Sequence, residues 1–206
     1  MKSIAHIIST VFQPLLMPTY SVALLFMYSY FGVMYSHQFW YILAPVFLFS
    51  FAVPALLIFV LYKLRLISDL SLTQRRERVL PYLITLISCS FMVFYYYKMG
   101  MPAWFLMFVI APVIIMIIAL FITLFWKISA HMFGIGGLLG GAMGVSFFVE
   151  RANPVYMLMG LFLLAGLIGS SRLILQRHTV SQVFAGFALG LVVSFVFVWA
   201  GVHIKL

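Results

Sequence analysis

Long apolar runs separated by short polar breaks dominate the pattern of this chain. A transmembrane helix needs roughly 20 consecutive apolar residues. Runs near this length predict seven spans, at residues 14–35, 39–62, 80–97, 102–126, 130–149, 155–171 and 179–203. The third and sixth runs are short, so a bundle of six spans also fits the pattern. The stretch 1–12 is a candidate for a segment lying in the membrane interface.

The short connections between the runs indicate how the spans pack. With so few residues between them, successive helices have to lie side by side and antiparallel. We therefore predict an all-α fold, a polytopic membrane helical bundle of six to seven transmembrane helices with short loops. The whole chain, residues 1–206, is expected to form a single membrane-embedded domain.

The composition indicates that lipid is the main solvent of this bundle. Hydrophobic residues make up 66% of the chain and charged residues 7%, against about 45–50% and about 25% in soluble domains. So few charges cannot build a water-soluble surface. This excludes a soluble enzyme, a nucleic-acid-binding protein and a disordered tail, so the membrane is an expected partner and nucleic acid is not.

Glycines at four-residue spacing mark the fifth span. Gly136, Gly140 and Gly144 share one face of the predicted helix, and Gly186 with Gly190 repeats the spacing in the last span. Such a smooth face lets two helix backbones approach closely. The glycines therefore predict a central packing helix rather than a binding site.

Acidic residues are too few to suggest a metal site. The net charge is +9, with 12 Lys and Arg residues against Asp69, Glu77 and Glu150. Carboxylates are the main protein ligands of Mg²⁺ and Ca²⁺, so no metal and no other cofactor is expected. The one cysteine, Cys89, allows no intrachain disulfide, and residues 1–10 lack the features of a signal peptide.

Basic residues gather in three loops that share one face of the membrane, because an even number of predicted spans separates each pair of loops. Eight of the 12 basic residues lie there: Lys63, Arg65, Arg75, Arg76, Arg78, Lys127, Arg172 and Arg177. One explanation is topological, since basic loops fix the orientation of a membrane protein. The other is a site that handles anions and moves protons, because His131 and His178 begin two helices beside these loops.

Phosphoryl transfer is the chemistry that these residue types fit best. Planar guanidinium groups bind phosphate oxygens in pairs. One neutral imidazole can attack phosphorus while a second protonates the leaving oxygen. Without a metal ion, Arg and Lys side chains and the N–H groups of a helix start have to neutralise the phosphate charge.

Two sequence patterns make this hypothesis specific. Residues 171–178 match S-R-x5-H, and residues 127–131 end in S-A-H. They resemble the third and second signature motifs of the type 2 phosphatidic acid phosphatase superfamily, S-R-x5-H-x3-D and P-S-G-H. The first motif of that family, K-x6-R-P, has its nearest match at residues 75–81. The resemblance covers about residues 65–190, the motif-bearing core.

The resemblance implies a role for each matching residue. His178 corresponds to the nucleophile that forms a phosphohistidine, and His131 to the acid that protonates the leaving alkoxide and later activates water. Gln182 stands where the family has an aspartate that orients the nucleophile. The implied phosphate-binding residues are Arg172, Ser129, Ala130, Arg78, Arg75, Arg76, Lys127 and Ser171.

Three departures from the family pattern have consequences. A glutamine at position 182 can accept the Nδ1–H bond but cannot stabilise an imidazolium, which predicts a slower enzyme or one that recruits Asp69 or Glu77. Ile128 and Ala130 replace Pro and Gly in the second motif. Two predicted spans separate the first and second motifs, where the family usually has none.

The resulting functional hypothesis is a metal-independent lipid phosphatase acting through a phosphohistidine. Its substrate would be a phosphate or diphosphate monoester with a membrane-embedded tail, such as phosphatidic acid, phosphatidylglycerophosphate or a polyprenyl diphosphate. The main alternative is a catalytically silent relative that binds or moves anionic lipids. A small transporter fits less well, because the spans carry no intramembrane acid and no clear internal repeat.

The expected location is the bacterial inner membrane. When Arg75, Arg76, Arg78 and Arg172 are left out of the count as implied phosphate ligands, five basic residues remain on the side of the site and three on the other. This bias favours a cytoplasmic site under the positive-inside rule. The resemblance implies the opposite orientation, an active site facing the periplasm or cell exterior, and this is the orientation we expect.

Overall fold

The computed structural model describes residues 1–70 and 76–204, and within these ranges the chain is helical. The side chain of Arg76 is also outside the description. The α-helices are α1 (Lys2–Val11), α2 (Met17–Tyr28), α3 (Tyr30–Met34), α4 (Phe39–Phe47), α5 (Val53–Lys63), α6 (Val79–Lys98), α7 (Ala103–Phe125), α8 (Ala130–Gly144), α9 (Val155–Ile174) and α10 (Val180–His203).

Seven helical segments among the described residues are long and apolar enough to cross a membrane. They are Lys2–Tyr28, Ser36–Lys63, Val79–Lys98, Ala103–Phe125, Ala130–Val149, Val155–Ile174 and Val180–His203. Turns of π-helix at Leu48–Ala52 and Val145–Val149 complete the second and fifth segments. The prediction of an all-α membrane bundle with seven spans is confirmed.

The first predicted span is wrong at both ends. It begins at Lys2 rather than at residue 14, because α1 packs against α9 and continues through the turn Pro14–Leu16 into α2. It ends at Tyr28 because the backbone of Ser29 is extended and its Oγ accepts the N–H of Phe31, which starts a new short helix. The stretch 1–12 is therefore part of the bundle.

The two ends of the bundle have different loops. The connections after α5, α7 and α9 lie at the same end as the start of α1, as seven crossings require. At the opposite end, the backbone N–H of Tyr30 donates to Oε1 of Glu150 (3.0 Å), which joins the first loop of that end to the loop after α8. The basic loops therefore share one end of the bundle.

Helix α8 is the most buried of the spans and packs most closely on α10. A Cβ at Gly140 would collide with the carbonyl oxygen of Leu191, and a Cβ at Gly190 would collide with that of Phe133. The two backbones are thus in direct contact, as the glycine spacing predicts. This contact fixes the position of α8 relative to α10. The two candidate catalytic histidines lie at the starts of these two helices, His131 in α8 and His178 just before α10.

Candidate active site

A cavity of about 580 Å³ opens inside the bundle at the end that carries the basic loops. Besides the exposed His6 of α1, its lining at this end includes five groups that can carry positive charge: Arg78, His131, Arg172, Arg177 and His178. They come from the start of α6, the start of α8, the end of α9 and the turn before α10. The fold therefore brings together residues up to 100 positions apart in the sequence.

His178 is buried in the turn that precedes α10. Its Nδ1 lies 3.1 Å from Oε1 of Gln182. The same oxygen accepts the backbone N–H of Thr179 (3.2 Å), and the Thr179 hydroxyl accepts the N–H of Gln182 (3.4 Å), which forms a capping box at the helix start. Because an amide oxygen only accepts hydrogen bonds, Nδ1 carries the proton and Nε2 keeps its lone pair.

The charge state of His178 suits nucleophilic attack. Burial and, next, the positive charge of Arg78 lower the pKa of its imidazole to about 3, against the opposing effect of the Gln182 hydrogen bond. The ring is therefore neutral at physiological pH. Only the neutral ring has a lone pair with which to attack phosphorus.

Arg78, from the loose match to the first motif, reaches the second-motif loop. Its side chain is buried, and Nη1 donates to the carbonyl oxygen of Ile128 (3.1 Å). The intervening helices α6 and α7 form an antiparallel pair that returns the chain to the same end of the bundle. The two spans between the motifs are thus compatible with one shared site.

Arg172, at the end of α9, is fixed by a residue of the N-terminal helix. Its Nη1 donates to the hydroxyl of Ser9 (3.2 Å). Its Nε is buried and has no hydrogen-bond partner among the described residues. A buried donor without a partner is unusual in folded proteins, and such a donor suits an anionic ligand.

His131 contacts the same N-terminal residue. Its Nε2 lies 3.0 Å from the backbone carbonyl oxygen of Ser9. Since a carbonyl only accepts, Nε2 carries a proton in this arrangement. Ser9 was missed by the sequence analysis, and its only signal there is that Ala5 and Ser9 are small residues four positions apart, on one face of α1.

The remaining second-motif residues lie beside this cluster. Ser129 is fully buried, and its Oγ has no hydrogen-bond partner among the described residues. Ala130 lines the cavity. Lys127 is half-buried, and burial together with the charges of nearby arginines lowers the pKa of its amine.

Other predicted site residues have different surroundings. Ser171 donates its hydroxyl to the carbonyl oxygen of Ile168 (2.7 Å) and contacts Ser9. Oε2 of Glu77 accepts both the N–H (3.1 Å) and the hydroxyl (2.9 Å) of Ser68, so this acid is engaged within its own loop.

Two predicted phosphate ligands fall outside the part of the chain that the structure describes. Arg75 and the side chain of Arg76 lie outside the described residues. Within the described ranges, no three His, Cys, Asp or Glu side chains come together as potential metal ligands.

The cavity continues from its cationic end into an apolar interior. Val22, Met92 and Phe108 line this deeper part. Met92 lies 14 residues along α6 from Arg78, which is roughly 20 Å at about 1.5 Å per residue. One leaflet of the hydrocarbon core is about 15 Å thick, so the apolar part is deep enough for a lipid tail.

Comparison with known proteins adds no relative: no family model, no curated protein and no solved structure matches this chain. The likeness to the phosphatase superfamily therefore remains an expectation from the motif residues of the sequence.

Proposed function

We propose that this protein is a metal-independent lipid phosphatase, which cleaves a phosphate or diphosphate monoester of a membrane lipid. The observation that carries the proposal is the shape and chemistry of one cavity. Three imidazoles, including that of His6, and three guanidinium groups line one end, and apolar side chains line the other. A ligand that matches both ends has a highly charged anionic headgroup and a hydrocarbon tail.

The electrostatics of the cationic end support an anionic ligand. The pKa values of Lys127 and His178 are lowered first by burial and then by the positive charge of Arg78, so the cations at this end repel one another. Buried like charges destabilise a fold unless a counter-charge compensates them. A phosphate dianion beside Arg172 would provide that counter-charge and a partner for its buried Nε.

The proposed first step forms a phosphohistidine. Nε2 of His178 attacks phosphorus, the bond between phosphorus and the lipid oxygen breaks, and His131 in its protonated form transfers a proton to that oxygen. The lipid alcohol, or a shorter lipid phosphate from a diphosphate, leaves. Because Nε2 of His131 is hydrogen-bonded to the Ser9 carbonyl, the transferred proton comes from Nδ1. Arg78 and Arg172 bind the phosphoryl oxygens and neutralise their charge throughout the step.

The second step regenerates the enzyme. Neutral His131 takes a proton from a water molecule, whose oxygen attacks phosphorus while the bond to His178 breaks. Inorganic phosphate leaves and His131 is protonated again. The sum of the two steps is hydrolysis of one phosphoester bond, or of one phosphoanhydride bond in a diphosphate, with no cofactor.

The proposal is tested by measuring phosphate release from purified protein in detergent with EDTA present. The substrate panel contains phosphatidic acid, phosphatidylglycerophosphate and a polyprenyl diphosphate, and the His178→Ala protein is the blank. We expect EDTA-resistant release from at least one of them. Release no greater than the blank across the whole panel would contradict the proposal and favour a protein that binds anionic lipid without cleaving it, an outcome that Gln182 makes worth testing.

Restoring a carboxylate at position 182 is expected to raise the activity. In Gln182→Asp the family residue would face His178, and Gln182→Glu keeps the length of the side chain that now lies 3.1 Å from Nδ1. A charge-assisted hydrogen bond is about 1 kcal/mol stronger than a neutral one, which corresponds to roughly fivefold in rate. The measurement is kcat for both variants under identical conditions.

A fall in kcat for both carboxylate variants would show that the pocket is adapted to a neutral partner. Glu77→Gln and Asp69→Asn, assayed in parallel, report whether either native acid contributes. The carboxylate interpretation predicts that these two changes leave kcat unchanged.

The orientation that we propose places the active site on the outer face of a bacterial inner membrane. With seven spans, the start of α1 shares its side with the site, and the loop after α8 lies opposite. Ser3 and Asn153 are exposed in these two places. Ser3→Cys should therefore react with an impermeant maleimide in intact cells, whereas Asn153→Cys should react only after lysis.

The native Cys89 is buried, so the unmodified chain serves as the labelling blank. Labelling of Asn153→Cys but not Ser3→Cys in intact cells would show a cytoplasmic site. Labelling of both would contradict the seven-span topology.

A further inference from the structure

The N-terminal helix contributes one buried polar residue to the candidate site. Ala5 and Ser9 are the buried residues of α1, and most of its other residues are exposed. Ser9 is the only one of the two with a polar side chain, and it lies between Arg172, Ser171 and His131. No signature motif of the sequence includes it.

The hydrogen bonds around Ser9 have a single consistent direction. The Ser171 hydroxyl donates to the carbonyl oxygen of Ile168 (2.7 Å), so its oxygen accepts the proton of the Ser9 hydroxyl (3.3 Å). The Ser9 oxygen in turn accepts from Nη1 of Arg172 (3.2 Å). Every donor in this series of three hydrogen bonds has an acceptor, and the series ends at the backbone carbonyl of Ile168 in α9.

This series of hydrogen bonds determines which part of the Arg172 guanidinium remains for a ligand. Nη1 is bound to Ser9, whereas Nε is buried without a partner among the described residues. The Nε–H and the hydrogens of Nη2 form one edge of the planar group, and this edge suits two oxygens of a phosphate. Ser9 therefore orients Arg172 without occupying that edge.

The backbone of Ser9 acts on the second candidate group. Its carbonyl oxygen lies 3.0 Å from Nε2 of His131 and keeps that nitrogen protonated. One residue of α1 thus fixes both the phosphate clamp and the general acid. A substitution of the side chain removes the first contact and leaves the second.

We propose that Ser9 is a positioning residue for the phosphate headgroup, acting through Arg172. This inference rests on the proposed function for its catalytic consequence, but its binding consequence does not require hydrolysis. The ligand class is a phosphate monoester dianion, of which inorganic phosphate is the simplest probe.

The test compares Ser9→Ala with three matched proteins. Ser3→Ala changes an exposed serine of the same helix, Ser9→Thr retains the hydroxyl, and Arg172→Ala removes the group through which Ser9 acts. We expect Ser9→Ala to raise KM about tenfold, the effect of one hydrogen bond to a charged group. Its kcat should stay within about threefold, because the clamp contacts substrate and transition state alike.

Rescue and coupling separate positioning from a general effect on folding. Ser9→Thr should recover most of the KM change, and Ser3→Ala should show none. In the Arg172→Ala background, Ser9→Ala should cause no further rise in KM, because the group it positions is absent. A full additional rise in that background would overturn the inference.

Binding of inorganic phosphate, measured from the rise in thermal stability with phosphate concentration, separates this inference from the proposed function. We expect Ser9→Ala to need about tenfold more phosphate than the unmodified protein or Ser3→Ala. If the protein hydrolyses no lipid but shows this difference, the positioning role stands and the phosphatase proposal fails. If Ser9→Ala matches Ser3→Ala in phosphate affinity and KM, or if the unmodified protein binds no phosphate, the inference is overturned.

Discussion

His178→Ala is expected to lower kcat by at least about 10³-fold while the protein still folds. The substitution removes the atom that attacks phosphorus and the imidazole ring that the Gln182 amide oxygen orients. Folding should survive because His178 lies in a turn at the edge of the bundle rather than in the apolar core. Phosphate release and size-exclusion behaviour of the purified variant are the two measurements.

The matched control for this variant is His203→Ala, at the far end of the same helix. His203 is exposed and its Nδ1 contacts the carbonyl oxygen of Trp199 (2.8 Å). It should keep full activity. A His178→Ala protein that folds and retains more than about a tenth of the kcat would exclude His178 as the nucleophile.

His131→Ala is expected to be nearly as severe for a phosphate monoester, with a loss of about 10²–10⁴-fold, the usual contribution of a general acid. An alkoxide is a poor leaving group and needs the proton. The loss should be clearly smaller for a diphosphate, because the phosphate that leaves is far less basic. The measurement is the ratio of kcat/KM for the two substrates in each protein.

The ratio isolates the proton transfer from other effects of the substitution. Disturbed packing or a lost contact to Ser9 would lower the rates for both substrates to the same extent. Equal losses for phosphatidic acid and a polyprenyl diphosphate would therefore show that His131 is not the general acid.

Much of the architecture could be predicted because apolar periodicity and loop length report directly on membrane helices. The seven spans follow from hydrophobic run lengths, and the shared face of the basic loops follows from counting them. The close contact at Gly140 and Gly190 follows from four-residue spacing. The contact between His178 and Gln182 is the one that the resemblance implies for the residue at the position of the family's aspartate.

The N-terminal part of the site could not be predicted from local pattern. An amphipathic segment has the same periodicity whether it lies on a lipid interface or against a neighbouring helix, so residues 1–12 fitted both. The choice depends on the tertiary packing of α1 against α9, in which Ala5 and Ser9 are the buried residues of α1. No motif of the sequence distinguishes Ser9 from the other serines. Its contacts with Arg172 and His131 depend on that packing.

The apolar part of the cavity could not be predicted from the sequence either. A residue such as Met92 or Phe108 has the same hydropathy whether it faces lipid, a neighbouring helix or an internal cavity. Only the three-dimensional arrangement of α2, α6 and α7 distinguishes these surroundings. In that arrangement, one cavity has the cluster of basic residues at one end and apolar side chains at the other.

Trapping of the covalent intermediate tests the central claim most directly. The protein is mixed with a lipid substrate carrying a ³²P-labelled phosphoryl group, quenched in alkali within the first turnover, digested and analysed for the labelled peptide. We predict an acid-labile, alkali-stable phosphoryl group on His178, which is absent from His178→Ala. Turnover without any protein-bound label, or a label on another residue, would contradict it.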